Sequence, residues 1–523
     1  MPPHKKIETL FRMCTDSFVE CLVTSWMNPR IPRCTDHGTN LNRYLKEQLP
    51  FSIIDGIVLE IIKLYVKKYR IYFQEGYDKS MLPTVSHLLQ VVIIPGLKSL
   101  NLGTIVYVDE VDDNDFDEFE VTFKSLLPVL SNIVEISLTT HGLNVTLPIC
   151  SDSILKQMSE NCPNLKCLNI SFNSRVTDVG LHYLIPSQER VGCPSLEVLF
   201  LHECSVTPFG ISDVLENLPN LRIVGYKKLG GVLFSLHDRY IKTNDSRLLE
   251  GFKLTHVNNL SCTFKKHEGV CKLIHAVGVL CPFVQNLKMR VLDSDVPHLD
   301  VFKCLKSLEL IFNVYRPLSP SNGTYAYLRS CGHQLTSLTL ICGPFQTAFL
   351  KLVGKYCFNV KQLWIRCNSL ILDCELELDQ PEECKFIYLE SLYFRVGETE
   401  YDECVLPVSV FRYILRDSCL RELRLIGRNV LTTDLWLREL WQSFSVQSLE
   451  RVLIALPRQN IVNASLNLSL SSVHMILEQC PNLITLENLL VWKVSQEQCD
   501  ELRLMMKERN INLKLTYRIM NIT

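Results

Sequence analysis

Six side chains in the last third of this chain could do recognition chemistry: Trp364, Arg366, Tyr393, Arg395, Arg424 and Arg451. Each stands between or just after the leucine-type residues of a repeating unit, so side-chain alternation along a strand sends them all to the face away from the core. Trp, Tyr and Arg are the residue types that most often dominate binding energy, and a guanidinium fork holds a carboxylate through two parallel hydrogen bonds. The substrate implied is a protein bearing an acidic segment or a terminal carboxylate; the plainer alternative is a solvated strand face, since Arg and Tyr are common on strands. Catalysis has no comparable signal. The chain carries no Gly-rich phosphate loop, no Gly-x-Ser-x-Gly elbow and no His pair at metal-ligand spacing, and its 13 histidines are scattered. The expectation is a non-catalytic protein with no cofactor and no metal.

A second set lies near the N-terminus. Leu10, Cys14 and Phe18 are four residues apart, within a longer pattern of Ile7, Phe11, Leu22 and Val23 that places one apolar stripe on a helix. Such a stripe docks in a groove, with Leu10 as anchor. Downstream, Leu49, Pro50, Ile53 and Ile57 read as a second helix start, with Pro in the first turn and the two isoleucines projecting together.

The elements that must position these residues come from a repeat. The unit apolar-x-x-Leu-x-Leu starts at Leu97, Ile133, Leu165, Leu196, Leu221, Leu249, Val284, Leu305, Leu335, Val360, Leu389, Leu420, Leu449 and Leu483, at intervals of 21 to 36 residues. A period of that size means a solenoid, because two or three inward apolar residues cannot make a core until each turn stacks on its neighbours. Between the units the spacing becomes helical, as in Ile154, Leu155 and Met158, in Ile211, Val214 and Leu215, and in Val473, Ile476 and Leu477. Asn173 follows the third unit, where its amide can satisfy backbone groups at the bend. The fold expected is α/β: a leucine-rich-repeat solenoid of about 14 turns over residues 93–523, strands concave and helices convex, preceded by a small all-helical domain over residues 1–92.

Several units open with Cys-Pro, as Cys162-Pro163, Cys193-Pro194, Cys281-Pro282 and Cys480-Pro481. Over roughly residues 95–515 the array resembles the cysteine-containing leucine-rich repeats of ubiquitin-ligase substrate receptors. Residues 9–18 resemble the BC box, in which Leu10, Cys14 and Phe18 would contact elongin C; Phe18 stands where the family usually has a smaller apolar residue. Residues 49–57 resemble the cullin box, with Leu49, Pro50, Ile53 and Ile57 as its apolar contacts. Two boxes in this order ahead of leucine-rich repeats are similar to the Zyg-type and PRAME-like receptors of cullin-2 ligases. That resemblance implies elongins B and C, cullin-2 and a RING subunit as partners. The same Leu49-Pro50-x-x-Ile53-Ile54 also resembles the start of an F-box, although the Trp usual in that motif is missing between Trp26 and Trp364. A repeat scaffold outside any ligase is a third reading.

The remaining signals are bland. With 47% hydrophobic residues and a net charge of −2 the chain has material for a large core and no bias toward nucleic acid. No apolar run approaches the roughly 20 residues that span a bilayer, and the N-terminus lacks the apolar region of a signal peptide, so cytoplasm or nucleus is expected. The 22 cysteines include no Cys-x-x-Cys pair and read as free, mostly buried thiols packed between turns. Asp109 to Glu120 is acidic enough to suggest a calcium loop but lacks the required Gly, which favours a solvated insertion between repeats. Lys63 to Phe73 mixes bases with aromatics and reads as a helix with a basic outer face.

Overall fold

The computed structural model describes residues 58, 82–103, 113–139, 149–246, 250–260, 267–312, 318, 322–372, 386–397, 407–416, 418–427, 432–442, 444–456, 466–509 and 511–517. Fifteen strands among them are connected by helices, and within each unit neighbouring strands run parallel. The chain divides into two compact units, Glu8–Asn259 with Val279–Phe283, and Leu260–Gly278 with Val284–Thr523.

The first unit holds β1 (Ser99–Asn101), β2 (Glu135–Ser137), β3 (Cys167–Asn169), β4 (Val198–Phe200), β5 (Ile223–Gly225) and β6 (His256–Leu260). Their register aligns Leu100, Ile136, Leu168, Leu199 and Val224 in one inward row, each at most 3% exposed. Burying one such side chain is worth about 1.5 to 3 kcal/mol, and only the stacked neighbour makes that burial possible. The sixth unit corrects the sequence reading. The strand is His256–Leu260, five residues later than a unit starting at Leu249 would put it, because Leu254 and Val257 repeat the apolar-x-x-apolar spacing and Ile223 pairs with His256.

The second unit holds β7 (Asn286–Arg290), β8 (Ser307–Ile311), β9 (Ser337–Gln346), β10 (Gln362–Ile371), β11 (Ser391–Val396), β12 (Glu422–Gly427), β13 (Arg451–Ala455), β14 (Thr485–Glu487) and β15 (Lys514–Leu515). Its inward row runs Leu287, Leu308, Leu338, Leu363, Leu392, Leu423, Val452, Leu486 and Leu515. In both units the strands, helices and inward rows make an α/β leucine-rich-repeat solenoid.

The helices bury the stripes read from sequence: Ile154, Leu155 and Met158 on Asp152–Asn161, Ile211, Val214 and Leu215 on Pro208–Asn217, and Val473, Ile476 and Leu477 on Leu470–Gln479. Consecutive helices are tied at their N-termini. Thr177 caps its own helix and donates its backbone N–H and hydroxyl to the Asp152 carboxylate of the preceding turn, at 2.8 and 2.6 Å. Thr207 does the same to Asp178 at 2.8 and 2.5 Å, and Ser469 to Asp434 at 2.8 and 2.6 Å. An acidic side chain in a first turn satisfies orphan donors and complements the helix dipole, and here it also joins turn to turn. Close approach is the condition: a Cβ at Gly180 or Gly210 would collide with the Asp152 or Asp178 carboxylate.

Asn173 performs the role its position suggests. Fully buried, it accepts from the Ile149 and Cys150 N–H groups at 2.7 and 2.9 Å and donates to the carbonyls of Leu138, Ile170 and Ser171. One repeat later Cys204 takes the equivalent place, its thiol donating to the Ile170 carbonyl at 3.1 Å. The Cys-Pro thiols Cys162, Cys193, Cys281 and Cys480 are all free and buried between turns. Burial pushes Cys162 and Cys193 up to about 12 and Cys480 to about 11, so they stay protonated and act as small apolar residues.

The acidic stretch is more than an insertion. From Asp113 to Leu126 it is a helix that buries Phe116, Phe119 and Phe123 and stacks the last two at 5.7 Å. Glu120 accepts from Ser151 at 2.7 Å, from Ser153 and from Lys124. Burial raises its carboxyl pKa, but these bonds outweigh burial and hold it below the ordinary range.

Candidate functional site: the outward strand face

Leu10, Cys14, Phe18, Leu49, Pro50, Ile53 and Ile57 lie outside the described residues, as does Lys63 to Phe73. The site the structure does describe is the set of arginines and aromatics on β10 to β13.

Register decides which of them meet. Trp364, Tyr393 and Arg424 are direct neighbours across β10, β11 and β12. Arg366 and Arg395 are neighbours in the next row, which continues into Ile426 and Ala455. Arg451 pairs with Glu422, one row earlier, so it is not beside Arg424. The six residues therefore form three rows of one face, and the largest contiguous group is Trp364, Tyr393, Arg424, Arg366 and Arg395.

Depth separates them further. The Trp364 indole is 38% exposed and stacks on the Tyr393 ring at 4.9 Å with 21° between planes, while Tyr393 itself is only 7% exposed. Tyr393 is a floor that fixes the indole, and Trp364 is the surface a ligand would touch. Tyr393, Ile426, Leu453 and Ala455 form a buried apolar cluster on the same outward side. Alternation along a strand assigns the side of a residue and says nothing of its depth, so Tyr393, expected on the accessible face, is buried there beside the indole.

The arginines differ in what they already hold. Arg424 is ion-paired with Glu422 of its own strand at 2.7 Å, and Glu422 also accepts from the Ser391 hydroxyl at 3.1 Å. A carboxylate from outside would have to displace that partner. Residues two apart on a strand share a face, so Glu422 was available as a signal from spacing alone. Arg395 is half-buried with its Nε enclosed and without a hydrogen-bond partner, and Arg451 is exposed. A partner segment would meet a flat aromatic surface at Trp364 flanked by the Arg395 and Arg366 guanidinium groups.

No protein-family model matches the chain, and no curated protein matches it. Among solved structures, the yeast Rad7 and Elc1 complex aligns over 98% of this chain and 99% of its own, at 14% identity and a TM-score of 0.40. A leucine-rich-repeat protein of Leptospira interrogans aligns over 84% and 93%, at 14% identity and a TM-score of 0.31.

The site's arrangement suits recognition of a surface. Among the described residues no group of three His, Cys, Asp or Glu side chains is placed to hold a metal ion, and no helix is long and apolar enough to cross a membrane.

Proposed function

We propose that this chain is the substrate-recognition subunit of a cullin-RING ubiquitin ligase. Leu10, Cys14 and Phe18 dock on elongin C, which brings elongin B, while Leu49, Pro50, Ile53 and Ile57 contact cullin-2 with its RING subunit. The outward strand face around Trp364, Arg366, Tyr393, Arg395, Arg424 and Arg451 holds a protein substrate, and the protein works in the cytoplasm or nucleus. The chain does no bond chemistry. Its contribution is proximity, raising the effective concentration of a substrate lysine near the charged conjugating enzyme.

The observation that carries this reading is the order of two box-like segments directly ahead of a leucine-rich-repeat array with a recognition-type face. Either box alone is a degenerate pattern; their succession at the head of a solenoid is what narrows the choice. Affinity purification of the wild type beside Leu10→Ser/Cys14→Phe and Pro50→Ala variants tests it. Elongin C should be lost only in the first variant and cullin in both. Recovery of a Skp-type adaptor would select the F-box reading that Leu49-Pro50-x-x-Ile53-Ile54 allows, and recovery of neither adaptor would select a scaffold.

A further inference from the structure

The residue immediately before each strand lies at the entrance to the outward face. In the first unit Lys166 precedes β3, Glu197 precedes β4 and Arg222 precedes β5, with Lys253 just ahead of β6. Together with Ser195 and Asn220 they line a cavity of about 260 Å³. Three cations surround one carboxylate. Lys166 reaches Glu197 at 3.2 Å and the Arg222 Nε stands 3.6 Å from it, so Glu197 is shared between two cations. Among the described residues no carboxylate pairs with Lys253: its ammonium donates to the Asn220 Oδ1 at 3.4 Å. The cavity carries two positive charges more than it balances, in a chain whose net charge is −2.

We propose that this cavity binds a phosphate monoester borne on a protein segment, a phosphoserine or phosphothreonine. The charge count favours it. A carboxylate would neutralise one of the two surplus charges, whereas a phosphate monoester brings about −1.5 to −2 and three acceptor oxygens. The donors suit it as well: the outer nitrogens of Arg222, the Lys166 and Lys253 ammonium groups and the Ser195 hydroxyl come from successive turns of the array, and the Asn220 amide, which gives one N–H to the Pro194 carbonyl at 3.1 Å, has a second. The first residues of β3, β4 and β5, Cys167, Val198 and Ile223, are half-buried and outward, giving an apolar floor for residues flanking the phosphate. Three cations and no aromatic side chain in the lining make a poor track for a nucleic-acid backbone. The assignment stands whether or not the N-terminal boxes dock on an adaptor.

The test uses the full chain and two labelled degenerate peptide pools, one centred on phosphoserine and one on serine, read by fluorescence anisotropy, with vesicles containing phosphoinositide as a third arm. Wild type should bind the phosphorylated pool at least ~10-fold more tightly than the other, and inorganic phosphate should compete. Arg222→Glu/Lys253→Glu should abolish that preference, while Lys361→Glu, at the equivalent place before β10, should leave it intact. Should the reversal variant fail to fold, Arg222→Gln/Lys253→Gln serves in its place. Equal binding of the two pools, a preference that survives the double substitution, or binding by the vesicles in place of the peptides would each overturn the proposal.

Discussion

The strand-entry positions of the two units differ in how their charges are settled. Before β10, β11, β12 and β13 the sequence reads Lys361, Glu390, Arg421 and Glu450, and the alternation pairs Lys361 with Glu390 at 3.0 Å and Arg421 with Glu450 at 3.8 Å. Before β3, β4 and β5 the corresponding residues are Lys166, Glu197 and Arg222, where the one carboxylate is shared by two cations, and Lys253, three residues ahead of β6, donates to the Asn220 amide oxygen. The outward faces differ too. The first unit presents short strands with Asn101, Ser137, Asn169 and Phe200, and the second presents longer strands with the Trp364 and Tyr393 stack beside buried Ile426 and Leu453. One inward pattern thus supports two unlike surfaces, because each outward residue is free to vary once the leucines are in place.

If the inward pattern is common to both units, equivalent core deletions should cost the same. Leu199→Ala on β4 and Leu423→Ala on β12 each empty a fully buried site, and each should lower stability by about 2 to 5 kcal/mol in chemical denaturation. A loss confined to one of them would break the comparison on its inner side.

Asn173→Ala should cost about 1 to 3 kcal/mol, because it strands buried N–H and C=O groups of three segments at once. The contrast is Cys204→Ala, which removes a single thiol-to-carbonyl bond at the equivalent bend and should cost less.

The cap ladder gives a smaller effect with a pH signature. At Asp434 burial raises the carboxyl pKa, but hydrogen bonds from Ser469 and Ser472 outweigh it and hold the pKa below the usual 3.8. A depressed folded pKa stabilises above the unfolded value and is lost as pH falls through the folded one. Asp434→Asn should therefore cost about 1 kcal/mol at neutral pH, and the difference from wild type should shrink in melts carried from pH 5 down to pH 2.

The sequence carried the repeat because Leu-x-x-Leu spacing is forced by stacking: a strand whose leucines slipped would lose its neighbours. It misplaced the sixth turn, where Leu249, Phe252 and Leu254 mimic the spacing that Leu254 and Val257 in fact satisfy. The helix Asp113–Leu126 escaped notice because its buried phenylalanines stand among acidic residues that dominate the composition. At the outward face the residue types were legible. The Tyr393 floor is not legible, since its depth depends on Trp364 one turn away, whereas the Glu422 clamp on Arg424 follows from two residues sharing a strand face. The phosphate cavity leaves no contiguous motif, because Lys166, Arg222 and Lys253 come together only through the register of successive turns.

Adaptor docking is tested by titrating the purified full chain with purified elongin B–C in a calorimeter. Saturable binding is expected, and Leu10→Ser should weaken it by roughly 10- to 150-fold, the equivalent of losing about 1.5 to 3 kcal/mol of buried leucine. Trp364→Ala should leave that affinity unchanged. No binding by the wild type, or an affinity indifferent to Leu10→Ser, would contradict it.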